Sequence, residues 1–192
     1  MSHDPAAYFR TVPVDYMAQP SEVTHPIRRV VADEARKAGS SVLEVGCNIA
    51  MDYRFMEGLE YVGVDFQERF LERARELHPG IHVQQENALH LTFMDRSFDT
   101  VYCKDLLEHL APDTWRIAVA EMNRVARHLI MVVFFRLWDK ETGYYYHAAG
   151  YWDNTYNKDE VEACLREYGG LELRNVNGKF LYLVKKRYQV KT

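Results

Sequence analysis

The sequence predicts an open, doubly wound α/β sheet of seven strands, mostly parallel, with an antiparallel hairpin at its C-terminal end. Three observations predict it. Short apolar runs alternate with helix-period segments from about residue 20 onward. One run, 129–135, is apolar throughout, as a central strand covered on both faces must be. The pair Asn177-Gly178, flanked by two strand-like segments, has the form of a two-residue hairpin turn.

The elements follow in order. Residues 21–38 read as a helix, with Val23, Ile27, Val30 and Val31 on one stripe and Gly39 placed to end it. Strand one covers 41–45 and strand two 61–65, with room between them for only a short helical turn near 53–56. Residues 66–77 form a second helix, stopped by Pro79-Gly80. Strand three is 81–84 and strand four 98–103, the first five strands alternating with helices. A helix begins near Asp105, and Pro112 opens a further stretch to about Arg127. Beyond the central strand, residues 134–156 are dense in Phe, Tyr and Trp. Asn157 then caps a helix, Glu160 reaches back to complete a capping box, and Tyr156 staples to Val161. That helix runs to about Tyr168 and stops at Gly169-Gly170, before strands 171–176 and 180–186.

Bulk properties narrow the class. A chain of 192 residues, 47% hydrophobic and 27% charged, has the length and composition of one globular domain, 1–192. Within it, 1–20 reads as an N-terminal arm or lid and 134–156 as an aromatic, lid-like insertion. A net charge of −4 gives no general pull toward nucleic acid or an anionic membrane. Lys185-Lys186-Arg187 reads as the solvated end of an edge strand. No apolar run is long enough to span a bilayer, and the first ten residues lack the pattern of a secretory signal. Cys47, Cys103 and Cys164 have no CxxC spacing and suit a reducing compartment, so the expected location is cytoplasmic.

Ligands of such sheets bind beyond the carboxyl ends of the strands. Strand one ends in Glu44-Val45-Gly46, and strand two ends in Asp65 about twenty residues later. A carboxylate at that spacing can accept from both hydroxyls of a ribose. The loop after Gly46 lacks GxGxxG; Asn48 and Ala50 stand where further glycines would be. Asn tolerates left-handed backbone best among ordinary residues. Ala50 adds one methyl where only close approach is at stake. Such a loop suits a ligand without pyrophosphate and argues against a nicotinamide dinucleotide.

The segments VLEVGCNIA, YVGVDF, ENALHLTF and SFDTVYCKDLLEHL, in that order, resemble the class I S-adenosylmethionine-dependent methyltransferases. The resemblance implies a Rossmann-like sheet, methyl transfer and S-adenosyl-L-methionine as cofactor. It places Glu44, Gly46 and Cys47 beneath the methionine part, with Asn48 in the same loop. It gives Asp65 the ribose and sets Phe66 beside the adenine. Asn87 stands where the family usually has Asp; its amide can accept from the adenine amino group and donate to a ring nitrogen. Ala88 and Leu89 would form the apolar wall, and Cys103 would lie near the transferable methyl. The family's Pro-Gly-Gly before strand five is replaced here by Arg127-His128.

Asp105, Glu108 and His109 are spaced to share one helix face. Three readings stand for them. They shape the acceptor cleft; or His109 is a general base, with Asp105 beside it; or Asp105, Glu108 and His109, with His147 as a fourth ligand, hold a divalent metal, as in metal-assisted members. The aromatic segment, with Tyr8, Phe9 and Tyr16 from the arm, is expected to enclose a small-molecule methyl acceptor. Two other functions fit the motifs: a non-catalytic S-adenosylmethionine-binding or partner subunit, and a metal-assisted O-methyltransferase. Acceptor and oligomeric state are not set by the sequence.

Overall fold

Every second residue of the inner strands faces one of two helical layers, and this alternation organises the core. Val42, Tyr102, Met131, Val133, Leu181 and Leu183 turn to one side; Leu43, Val45, Val101, Ile130, Val132 and Val184 turn to the other. In the computed structural model, residues 8–19, 21 and 24–186 are described. The first layer is α1 (Ile27–Ala38) and α2 (Glu68–Leu77), represented by Ile27, Val31, Ala35 and Ala74. The second is α3 (Trp115–Val125) and α4 (Lys158–Arg166), represented by Trp115, Val119, Met122, Val161 and Leu165.

The strands are β1 (Ser41–Val45), β2 (Glu60–Asp65), β3 (Val83–Gln85), β4 (Phe98–Lys104) and β5 (Ala126–Phe134). In the segment that follows, β6 (Leu137–Trp138) pairs with β9 (Tyr156–Asn157), and β7 (Tyr146–His147) pairs with β8 (Tyr151–Trp152). The chain ends in β10 (Gly169–Val176) and β11 (Lys179–Lys186). The main sheet has seven strands in the order β10-β11-β5-β4-β1-β2-β3. β11 runs antiparallel to both β5 and β10, and the remaining pairs are parallel. The predicted doubly wound α/β sheet is therefore present. Asn177 and Gly178 both have positive φ, 49° and 89°, as a turn matching the strand twist requires. Because β11 is antiparallel, its first residue, Lys179, arrives at the same end of the sheet as the last residue of β4, Lys104.

Several expectations are corrected. The expected helix over 21–38 is not continuous: Ser21 is helical, Thr24–Pro26 are not, and α1 runs from Ile27; Val23 lies outside the described residues, as do residues 1–7, Pro20 and Arg187. No helix joins β3 to β4. Arg124 instead braces that loop, donating to the Leu91 and Phe93 carbonyls at 2.7 Å each. The segment after Asp105 is a single 3₁₀ turn, Leu107–His109, not a helix. Arg127 and His128 lie within β5 rather than in a turn, with Arg127 paired to Asp99. Gly169 opens β10 rather than ending a helix, and glycine is required there because a Cβ would fall 2.2 Å from the Lys185 carbonyl oxygen. Asn157 caps α4 as expected, accepting from the Glu160 N–H at 3.0 Å. The return half of the box is relayed: Glu160 accepts from the Thr142 hydroxyl at 2.7 Å, and Thr142 accepts from the Asn157 N–H at 2.9 Å.

Asp99 ties the far ends of the inner strands together. Its Oδ2 accepts from the Ser40 and Ser41 N–H groups at 2.9 and 3.2 Å, where α1 passes into β1. Asp99→Ala would strand two partly buried donors and release Arg127. A loss of about 2–3 kcal/mol is expected, read as a lower urea midpoint; an unchanged midpoint would show that water replaces the carboxylate.

Candidate functional site

The carboxyl ends of β1, β2 and β4 open into a cavity of about 710 Å³. Its floor is the loop after β1. Gly46 has φ 76°, and a Cβ on it would stand 2.9 Å from Leu106, so both its backbone and its neighbour require glycine. Asn48 takes φ 52°, the glycine-like conformation anticipated for it, supported by a 2.8 Å bond from the Ile49 N–H to its own Oδ1. Ala50 is also left-handed, at φ 54°, which corrects the view that only close approach mattered there. Its methyl is fully buried in the α1-side core, a gain that partly offsets about 1–2 kcal/mol of backbone cost.

Asp65 ends β2 and faces this loop. Its Oδ2 accepts from the Asn48 N–H and its Oδ1 from the Gln67 N–H, each at 2.9 Å. Each oxygen keeps a further lone pair. Burial pushes the carboxyl up to about 6, against the pull of the Gln67 and Asn48 N–H groups. Glu44 is buried deeper, accepting from the Tyr61 hydroxyl at 2.5 Å, and burial raises it too. Around it lie Lys104 and an Arg28–Asp52 ion pair sealed from solvent.

The sequence-assigned residues Glu44, Gly46, Cys47, Asn48, Asp65, Phe66, Asn87, Ala88 and Leu89 all line the cavity. Phe66 is half exposed at its mouth. Asn87 is more committed than expected: its amide oxygen already accepts from the Leu89 N–H at 2.9 Å, leaving one lone pair. Cys103 is a correction. β4 continues to Lys104, and Cys103 turns away into the α3-side core, so Lys104 reaches the cavity instead.

The Asp105-x-x-Glu108-His109 group is also corrected. Without a helix the three side chains do not share a face. Asp105 takes φ 52° and pairs with Lys179. Glu108 is fully buried; its Oε1 accepts from the Phe135 N–H at 3.1 Å, and burial with the nearby Asp105 pushes it up to about 8. It does not line the cavity. His109 does, with Nδ1 2.9 Å from the Trp152 carbonyl oxygen. His147 stacks on Tyr151 at 4.8 Å and lies off the cavity wall. The four do not converge, and no cluster of metal-ligating side chains occurs among the described residues. The arrangement therefore gives a divalent ion no shared donor set.

The Trp152 carbonyl can only accept, so Nδ1 of His109 carries the hydrogen and Nε2 carries the lone pair. Burial holds His109 below the usual imidazole range, leaving it neutral at pH 7. Phe9, Tyr151 and Phe135 surround it, with ring centroids at 5.5, 5.9 and 6.2 Å. Of the 134–156 segment, only Phe135 lines the cavity. Phe134 and Tyr156 belong to the core, while the β7–β8 hairpin braces His109 and accepts the Tyr8 N–H at Gly150. Phe9, Tyr16 and Met17 of the arm also line the cavity.

Sequence reasoning missed Arg28, Lys104 and Lys179. Lys104 was one residue past an assigned strand end. Lys179 could have been found from the Asn177-Gly178 turn, since an antiparallel return must begin at the ligand end. Arg28 gave no signal on its helix. No helix of the described residues is long and apolar enough to cross a membrane.

Residues 42–128 match the family model of the methyltransferase domain. The chain is 34% identical over 113 residues to a phosphatidylethanolamine N-methyltransferase of Cereibacter sphaeroides, covering 55% of each protein. It is 34% identical over 114 residues to a demethylmenaquinone methyltransferase of Staphylococcus haemolyticus, covering 55% of this chain and 47% of that one. The matched regions span about half the length of these curated relatives. Among solved structures, the PH0226 protein of Pyrococcus horikoshii superposes with TM-score 0.75 at 21% identity, over 94% of this chain and 98% of that one. A Burkholderia thailandensis 1,6-didemethyltoxoflavin-N1-methyltransferase, solved with 1,6-didemethyltoxoflavin and S-adenosylhomocysteine, gives 0.74 at 15% identity, over 95% and 85%.

The Asp65 geometry sets a pH dependence. Hydroxyls of a ribose bound here would donate to the ionised carboxylate, so such binding would lower a pKa that stands at about 6 in the free protein. Affinity for S-adenosylhomocysteine is expected to be level above that pH and to fall by up to about tenfold per unit below it. Calorimetry across the range checks this. Asp65→Asn should bind at least about tenfold more weakly and remove this component of the slope; an unchanged affinity and slope would show that the ribose lies elsewhere.

Proposed function

We propose that this chain is a class I S-adenosylmethionine-dependent methyltransferase that transfers a methyl group to a small-molecule acceptor, a reading supported by its fold, its ordered motifs and the match of residues 42–128 to the methyltransferase domain. The observation that carries the reading is the Asp65 carboxylate, held by two backbone N–H groups in the wall of the cavity, with lone pairs left for a cis-diol. The donor set fits an adenosyl ligand: one acid for hydroxyls, Phe66, Ala88 and Leu89 as apolar surface for a base, and a loop without a phosphate cradle. Gly46, Cys47, Asn48 and Glu44 would hold the amino-acid end. S-adenosylmethionine supplies an electrophilic methyl on a sulfonium, which the acceptor must meet in line.

The chain's own part is positioning and proton handling. Phe9, Tyr16 and Phe135 exclude water and hold the acceptor against the cofactor, and alignment alone can account for much of such a rate. Where the acceptor carries an O–H or N–H, His109 takes the proton on Nε2. The Trp152 carbonyl fixes the ring, and the aromatic cage keeps it neutral. Glu108, held by Phe135 N–H, sets the turn that carries His109 rather than touching the acceptor. The relatives act on different acceptors by name, a phospholipid in one and a quinone precursor in another, so the acceptor is left at the level of a small molecule.

Two measurements test this. Labelled methyl from S-adenosylmethionine should appear on a component of a metabolite extract; cofactor binding without transfer would favour a binding or partner subunit. With an acceptor in hand, His109→Gln should lower turnover by about a hundredfold or more and leave S-adenosylhomocysteine affinity unchanged. Wild-type turnover should fall only below the lowered His109 pKa, because the neutral ring is the active form. Equal turnover in the variant would remove His109 as the base.

A further inference from the structure

Asn48 does more than occupy a left-handed turn. A glycine would adopt the same backbone angles, losing only the local bond from the Ile49 N–H to Oδ1. The asparagine side chain adds a 3.2 Å hydrogen bond from its Nδ2 to the Tyr16 hydroxyl oxygen, 32 residues away in the arm. The same residue gives its backbone N–H to Asp65. Asp65, Asn48 and Tyr16 thus form one connected chain across the cavity.

Tyr16 sits in the turn Tyr16–Ala18, with its ring against Phe70 at 6.1 Å. Its oxygen accepts from Asn48, so its own hydrogen remains to be given. Among the described residues no group accepts that hydrogen, and Tyr16 lines the cavity. Burial, followed by the charge of Asp65, raises its pKa, so the hydroxyl stays protonated and remains a donor. The arm itself is held independently. Arg69 of α2 donates to the Arg10 and Val12 carbonyls at 2.5 and 2.6 Å, and Arg73 pairs with Asp15 at 2.9 Å. Loss of the Asn48–Tyr16 bond would therefore free the tyrosine without detaching the arm.

We infer that Asn48 is a positioning residue that aims Tyr16 into the cavity, where the Tyr16 hydroxyl donates to an oxygen of the bound adenosyl ligand. Arm and cofactor loop then grip the ligand together. The asparagine is thus a functional replacement for the missing glycine. This rests on the cofactor reading above.

The test is a double-mutant cycle with S-adenosylhomocysteine as probe: Asn48→Gly, Tyr16→Phe and the pair. Asn48→Gly keeps the backbone preference, and Tyr16→Phe keeps the ring. Each single variant should bind about three- to tenfold more weakly, Tyr16→Phe the more so. The pair should bind no more weakly than Tyr16→Phe alone. In ligand-free protein, both singles should speed amide exchange at Tyr16 and Ala18 and leave β4 unchanged. Losses that multiply in the pair, or single variants with wild-type affinity, would overturn the inference. Wild-type protein that does not bind the probe would instead overturn the cofactor reading beneath it.

Discussion

One buried carboxylate governs the ligand end of this fold. Asp65 receives a backbone N–H from the loop after β1 and another from the start of α2. Those two bonds fix the relative positions of Asn48, Phe66 and Gln67, and hence the shape of the cavity mouth. Hydrogen bonds to a charged group are worth about 1.5–3 kcal/mol each, yet burial still leaves the carboxyl raised. The carboxylate keeps acceptor capacity beyond these two bonds, which two adjacent hydroxyls of the proposed ligand would fill.

The loop facing Asp65 explains its own composition. Glycine is kept at 46, where positive φ and the Leu106 side chain both demand it. At 48 an asparagine tolerates the left-handed backbone and uses its amide. At 50 an alanine accepts the same backbone cost in exchange for burying its methyl beneath the sheet. Deeper charges are matched in space: Arg28 with Asp52, and Lys179 with Asp105. The His109 side, where the acceptor is proposed to sit, is different in kind. There an imidazole held by one carbonyl is surrounded by rings from three separate segments.

Much of this was legible in the sequence because it depends on local rules. The Asn177-Gly178 turn, the all-apolar central strand and the Asp65 spacing each follow from backbone geometry or burial, and the sheet forms as they predict. The left-handed Asn48 was legible for the same reason; Ala50 was not, since alanine ordinarily avoids that region and only tertiary burial compensates. The Asp105–His109 helix failed because helical spacing does not require a helix, and a left-handed Asp105 followed by a buried Glu108 breaks the periodicity. Cys103 was misplaced by one residue at a strand end, which reverses the face a side chain presents. The aromatic segment was recognised as special, but its division into core, hairpin and a single cavity residue depends on long-range pairing that spacing does not encode. Glu160 was diverted to Thr142 by the same kind of contact.

The central claim is that Asp65 receives the ribose of an adenosyl cofactor. A crystal structure of the protein with S-adenosylhomocysteine tests it most directly. The account predicts both ribose hydroxyls within hydrogen-bond distance of the Asp65 carboxylate, with the base beside Phe66. A nucleoside bound away from Asp65, or with its ribose turned from that carboxylate, would contradict it.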